Sequence, residues 1–151
     1  MSSWKDKVKK VAHNILEADK RIEDWEENIA IKDKNLELCC VEHASWIGYY
    51  DEISAEMKYT VEYLEMVEKQ IRGELFKHIK DTSKKEYTDT AILRVIDANP
   101  DYLEVHELLL MAQEQYDKCT KVVKAFEQRS YMLTNIVKIR EKELENVVIR
   151  Y

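Results

Sequence analysis

The chain has almost none of the residues that bend or staple a backbone. Of 151 residues, 2 are glycine, 1 is proline and 3 are cysteine. So few turn formers exclude a β-sandwich, a barrel or a doubly wound sheet, each of which needs many tight turns. An odd number of cysteines, with Cys39 and Cys40 adjacent and Cys119 far away, is not a disulfide framework. It fits a reducing cytosol. No apolar run approaches the ~20 residues that span a bilayer, and the polar start Met-Ser-Ser-Trp-Lys-Asp-Lys-Val-Lys-Lys does not read as a signal peptide. With so little glycine there is no phosphate-cradling loop and no dinucleotide fingerprint. The four histidines (His13, His43, His78, His106) stand in no Glu-x-x-His or His-Glu-x-x-His spacing, so the signatures of helical metal sites are missing. The residues imply no catalytic group, no metal and no cofactor.

What remains is a chain that is 45% hydrophobic and 36% charged. That composition suits an all-α protein with long, heptad-patterned helices in a bundle or coiled-coil assembly. From Trp4 the apolar positions run Val8, Val11, Ile15, Ala18, Ile22, Trp25, Ile29, alternating steps of four and three. The stretch Ile31 to Asn35 weakens the pattern, and Asp33 or Asn35 can cap a new helix. The alternation resumes at Leu36, Cys39, His43, Trp46, Tyr50, Ile53, Met57, Thr60, Leu64, Val67 and Ile71. The spacing predicts one helix over about 4–30 and a second over about 35–80, with a single bent helix as the alternative. Gly48 costs about 1 kcal/mol inside the second helix but does not need to end it.

Residues 81–88 are polar and turn-forming, the clearest loop; with the short apolar piece 91–98 they make a connector over 81–99. Then Asn99-Pro100-Asp101 reads as a helix start: a cap, a first-turn proline and an acid at the positive helix end. The last helix is expected over about 100–148. Its seam reads Tyr102, Val105, Leu109, Ala112, Tyr116, Cys119, Val123, Phe126, Ser130, Leu133 and Val137, continuing to Leu144 and Val147, with Arg140 on the same line. The whole of 1–151 then forms one helical domain. A helix of that length needs the other helices or copies of itself, and the seam leaves both open; if copies, Leu109, Tyr116, Val123, Phe126, Arg129, Leu133, Val137 and Arg140 are the residues expected to hold the oligomer together. His43, Trp46, Tyr49, Tyr50 and the Cys39–Cys40 pair read as helix packing rather than as ligands, base-stacking groups or reactive thiols.

Charge is unevenly spread. The formal net charge is −6, yet residues 69–85 carry 6 basic and 2 acidic groups, and residues 118–142 carry 7 and 2. The first island comprises Lys69, Arg72, Lys77, His78, Lys80, Lys84 and Lys85. Cations suit a helix C-terminus, which explains part of it locally; the functional reading is phosphate binding. The second island comprises Lys118, Lys121, Lys124, Arg129, Lys138, Arg140 and Lys142. It reads as a stripe beside the seam that pairs with acidic helices. Arg140, on the seam, must be paired or face a central space.

The run Val95-Ile96-Asp97-Ala98-Asn99-Pro100-Asp101-Tyr102-Leu103, followed by a long helix with Phe126, Arg129, Asn135-Ile136 and Arg140, resembles the C-terminal half of UvsY-type recombination mediators of tailed phages. Upstream, Trp46, a charged heptad stretch, a basic cluster and a polar loop with Glu86-Tyr87 follow in the same order. The resemblance covers about 36–143. It implies a ring-like homo-oligomer that binds single-stranded DNA and helps load a RecA-like recombinase onto strands covered by single-strand-binding protein. It implies an accessory factor rather than an enzyme, acting in the bacterial host cytoplasm, with DNA contacts in the segment matching 69–85. The acidic total and the helix over 4–30 depart from the family pattern. The competing readings are a coiled-coil scaffold with no nucleic-acid role and, further off, a helical enzyme.

Overall fold

The computed structural model describes residues 4–149, and the side chains of 4–143. Five helices follow one another: α1 Trp4–Arg21, α2 Trp25–Ile29, α3 Leu36–Thr82, α4 Asp89–Asp97 and α5 Pro100–Ile149. No strand occurs among the described residues. The fold is all-α, as the composition and the heptads predict.

The frame is an antiparallel hairpin of α3 and α5. His106 on early α5 meets Glu68 on late α3 at 2.8 Å, and Arg129 on late α5 meets His43 on early α3 at 3.3 Å. Between them Tyr50 stacks on Phe126, with ring centroids 4.9 Å apart. All eleven predicted seam positions of α3 are buried or half-buried. Thr60, a polar residue on that seam, donates its hydroxyl to the Glu56 carbonyl at 3.0 Å and so leaves nothing unsatisfied.

The expected helix over 4–30 is broken. Ile22 to Asp24 form a turn, with Glu23 N donating to Lys20 O and Trp25 N donating to Ile22 O, both at 3.2 Å. These shorter-range bonds tighten the last turn of α1 and end it. The heptad phase survives, because Ile22 is buried and Trp25 and Ile29 pack on the core. Past α2, Lys34 Nζ donates to the Glu27 carbonyl at 2.7 Å, and Asp33 adopts a positive φ of 61°. Aspartate tolerates that left-handed geometry better than most residues. Asn35 then caps α3, its side chain accepting from Leu38 N at 3.1 Å. A single bent helix is thereby ruled out.

α1 lies along the hairpin as its third helix. Lys5 pairs with Asp101 at 3.0 Å and Lys118 with Asp19 at 4.0 Å, so α1 runs parallel to α5. Arg21 pairs with Glu56 on α3 at 2.6 Å. Asn28 of α2 donates to the Tyr50 hydroxyl at 2.9 Å, closing the bundle over the aromatic pair. Beyond α2 no third helix covers the hairpin.

This third helix shifts the buried face of α5. Gln115, Val122 and Arg129 are buried, where the seam reading places Tyr116, Val123 and Ser130. Tyr116 and Val123 are half-buried and Ser130 is exposed. A helix packed on two neighbours buries more than a two-row seam. Val122 of the added row faces α1–α2, where it borders Ile22 and Trp25, whereas Arg129 is buried against His43 on α3. Arg140 is exposed rather than on a buried seam. Leu144 and Val147 lie outside the described side chains.

The connector follows the reading closely. Ser83 ends α3, its N–H bonding the Ile79 carbonyl at 3.0 Å, and Thr88 caps α4 through Ala91 N at 3.3 Å. Asn99 accepts from Asp101 N at 2.9 Å and Tyr102 N at 3.4 Å, so the predicted cap of α5 is present.

Phe126→Ala empties the fully buried centre of the hairpin and is expected to cost about 3–5 kcal/mol in urea unfolding. A Cβ added at Gly48 meets nothing within 4 Å, so Gly48→Ala is expected to stabilise the chain by about 1 kcal/mol. A loss on Gly48→Ala would mean that α3 is not a continuous helix there.

Candidate nucleic-acid interface

The first basic island forms the closed tip of the hairpin: the last turns of α3 and the loop into α4. All seven of its residues are exposed. Two of them turn toward α4 and α5. Arg72 Nη2 lies 3.6 Å from Asp97 and its guanidinium stands 6.0 Å from the Tyr102 ring centroid. Lys80 Nζ lies 3.8 Å from Asp89 and 5.5 Å from the Phe76 ring centroid. These pairs are solvent-exposed, so each contributes little and yields readily to salt or to another anion. Lys69, Lys77, Lys84 and Lys85 have no carboxylate partner among the described residues. The tip therefore presents free cations around two loosely held ones.

A groove of about 430 Å³ opens beside the loop. Lys80, Lys84 and Lys85 line it with Tyr87, Glu86 and Asp89. Ser83 shapes the loop, its hydroxyl donating to the Lys85 carbonyl at 2.8 Å. A larger groove, of about 630 Å³, lies between α1–α2 and α5. Lys118 lies close there to both Asp19 (4.0 Å) and Glu114 (3.7 Å), and Lys20 lies 3.5 Å from Glu17, so most of its cationic charge is already paired.

The second island does not act as one unit. Lys118 pairs with Asp19 on α1 of its own chain. Arg129 is 2% exposed. Of the residues expected between copies, Leu109, Phe126, Arg129 and Leu133 are buried inside one chain. Tyr116 and Val123 are half-buried, while Val137 and Arg140 are exposed. The heptad seam is consumed by the α3–α5 hairpin, because antiparallel helices joined by a short connector meet at far higher effective concentration than separate chains. Exposed apolar residues that sequence reasoning missed lie along both helices, among them Tyr59, Met66, Leu103, Leu110 and Met111, and they include Leu38 and Val41 on early α3 and Tyr131, Met132 and Ile139 on late α5. These last five stand toward the open end of the hairpin, opposite the basic tip. Their signal was apolar character off the seam, which periodicity alone discards.

Among the described residues Arg129 is the one cation in the core. Its Nη1 donates to His43 Nδ1 at 3.3 Å, and its guanidinium stands 5.8 Å from the Phe126 ring centroid. No carboxylate pairs with it among the described residues, and its Nε has no partner. Since arginine only donates, His43 must accept through Nδ1 and carry its proton on Nε2. Burial, and secondarily the neighbouring guanidinium, push the His43 imidazole below the ordinary 6.5. Cys39 is buried and Cys40 exposed, so packing accounts for the first but not the second. Burial raises the Cys119 thiol to about 11, which keeps it protonated and inert. Among the described residues no three His, Cys, Asp or Glu side chains come together as a metal-ligand set, and no helix is long and apolar enough to cross a membrane. Comparison of the chain with family models, with curated proteins and with solved structures returns no match.

The sign of the pH dependence follows from His43. As pH falls through 6.5 the unfolded chain takes up a proton before the folded one, so folding stability drops below that pH. His43→Gln keeps an acceptor for Arg129 and removes the titration. The expected result is a smaller loss of urea stability between pH 7.5 and 5.5 in His43→Gln than in the unaltered chain. Parallel losses would show that His43 does not couple to folding.

Proposed function

We propose that the chain is a recombination mediator: a homo-oligomer that binds single-stranded DNA and assists loading of a RecA-like recombinase onto strands covered by single-strand-binding protein. The observation that carries the reading is the exposed basic tip of the hairpin, in an otherwise acidic chain and in the segment where the family resemblance expects DNA. Lys69, Lys77, Lys84 and Lys85 are free of carboxylate partners there, and Arg72 and Lys80 are held only by exposed pairs. Cations of this kind bind phosphates by releasing counterions, with a contact that is weak and salt-sensitive for one chain.

Self-association supplies the missing affinity. The bare hairpin end, with Leu38, Val41, Tyr131, Met132 and Ile139 exposed, is the face on which copies assemble in this reading. A helix of 47 residues is about 70 Å long, so α3 separates that end from the basic tip. Copies joined at one end, in a ring-like arrangement, carry their tips outward and bind one strand through many weak contacts. The acidic remainder confines the strand to the tips. The role is that of an accessory factor, without catalysis and without a cofactor, in the cytoplasm of a bacterial host, with phage recombination, repair and recombination-dependent replication as its setting.

The scaffold reading draws on the same apolar end and on the net charge of −6. One variant separates the two. Lys77→Glu/Lys84→Glu/Lys85→Glu is expected to weaken binding to a single-stranded oligonucleotide by more than tenfold and to flatten its salt dependence, because each lost phosphate contact lowers the slope by about 1. Its mass by light scattering is expected to stay that of the unaltered oligomer. Binding that is absent in the unaltered chain at low salt would leave the scaffold reading in its place.

A further inference from the structure

Cations cannot by themselves favour a single strand. Duplex DNA has the higher charge density, and lysines on a surface bind its phosphates at least as well. Preference for a single strand requires a surface for the exposed faces of unpaired bases, and an aromatic ring is the usual one. The basic tip holds one exposed tyrosine, phenylalanine or tryptophan, and it is Tyr87. Its side chain is 55% exposed and lines the loop groove beside Lys80, Lys84 and Lys85. It has no hydrogen bond and no ring contact among the described residues. Phe76, the other aromatic nearby, is half-buried under Lys80.

We propose that Tyr87 is a base-stacking platform that makes the basic tip selective for single-stranded nucleic acid over duplex. This inference rests on the DNA-binding reading above and names the residue that decides the form of nucleic acid. The backbone on either side of Tyr87 is ordered by local contacts before any ligand arrives. On one side Ser83 bridges to Lys85, donating to its carbonyl at 2.8 Å and accepting from its N–H at 3.4 Å. On the other side Thr88 caps α4. Tyr87 stands between these two anchors, so little loop order has to be imposed on binding. The apolar part of the groove is formed by Ile79 and the buried Ile92, on which the edge of a stacked base can rest. Lys84 and Lys85 precede the ring in sequence and line the same groove, within reach of phosphates next to that base. Glu86 and Asp89 also line the groove and oppose phosphate, and Lys80 offsets Asp89. The local charge surplus is therefore small, and stacking carries more of the discrimination than charge does.

The test compares Tyr87→Ala, Tyr87→Phe and the Lys77→Glu/Lys84→Glu/Lys85→Glu chain, each as the full oligomer. Three probes of equal length are titrated by fluorescence anisotropy: oligothymidylate, an abasic single strand and a duplex. Tyr87→Ala is expected to bind oligothymidylate about tenfold more weakly, while its binding to the abasic strand and the duplex is unchanged. Tyr87→Phe is expected to match the unaltered chain, since stacking needs the ring and not the hydroxyl. An equal loss on all three probes overturns the proposal, because it would mean that Tyr87 shapes the loop rather than meets a base. No loss on oligothymidylate overturns it as well. If the lysine variant loses binding while Tyr87→Ala keeps it, the stacking inference fails alone. If the unaltered chain binds none of the probes at low salt, the DNA-binding reading fails with it.

Discussion

Two helices of 47 and 50 residues have to bury an apolar seam or remain insoluble, and in this chain each buries it on the other. That mutual burial is the constraint on which the rest of the structure depends. It is centred on the Tyr50–Phe126 stack, which Trp46 extends on one side and Arg129 on the other. Because the two helices are antiparallel and joined through α4, the hairpin has a closed end and an open end. The closed end collects the cations from the last turns of α3. The open end, beyond the reach of α1 and α2, keeps exposed apolar residues such as Leu38, Val41 and Ile139 that no element among the described residues covers. The polarity of the molecule follows from where the third helix stops.

Arg129 shows how that core tolerates a charge. A guanidinium taken out of water costs several kcal/mol unless it is paired. Here it has an imidazole acceptor and an aromatic face in place of a carboxylate. A ring face attracts a desolvated cation by about 2 kcal/mol, and a hydrogen bond from a charged donor contributes about 1.5–3 kcal/mol. The arrangement ties His43 to its neutral form and links the packing of the hairpin to pH. Neither residue needs a ligand to explain its position.

The basic tip belongs to a different physical regime. Its charges are hydrated, its ion pairs are exposed, and its loop is ordered by two short hydroxyl contacts rather than by a core. Such a surface holds little folding energy and is free to exchange its partners. In the proposed reading this suits strand handling, where tight contact at every subunit would trap the strand. A loop tyrosine stands exposed among those lysines, the ring proposed to read base exposure rather than charge.

The one-dimensional pattern determined a good part of this. The α3 seam from Leu36 to Ile71, the caps at Asn35 and Asn99 and the polar break after residue 82 were all legible, because each depends on residues within a few positions of one another. The tip as a place was legible too, as a run of cations at a helix end. Only the tertiary structure decided which surfaces the seams meet. Heptads say that a helix needs a partner but not whether the partner lies in the same chain, so Leu109, Phe126, Arg129 and Leu133 read as contacts between copies until the hairpin buried them. It also decided that α1 ends at Arg21, that burial on α5 moves to Gln115, Val122 and Arg129, and that Arg72 and Lys80 turn inward while Lys77, Lys84 and Lys85 remain free. The physical reason is the same each time. Periodicity records which side of a helix is apolar, whereas burial and charge pairing depend on what lies opposite, and that is set by residues tens of positions away.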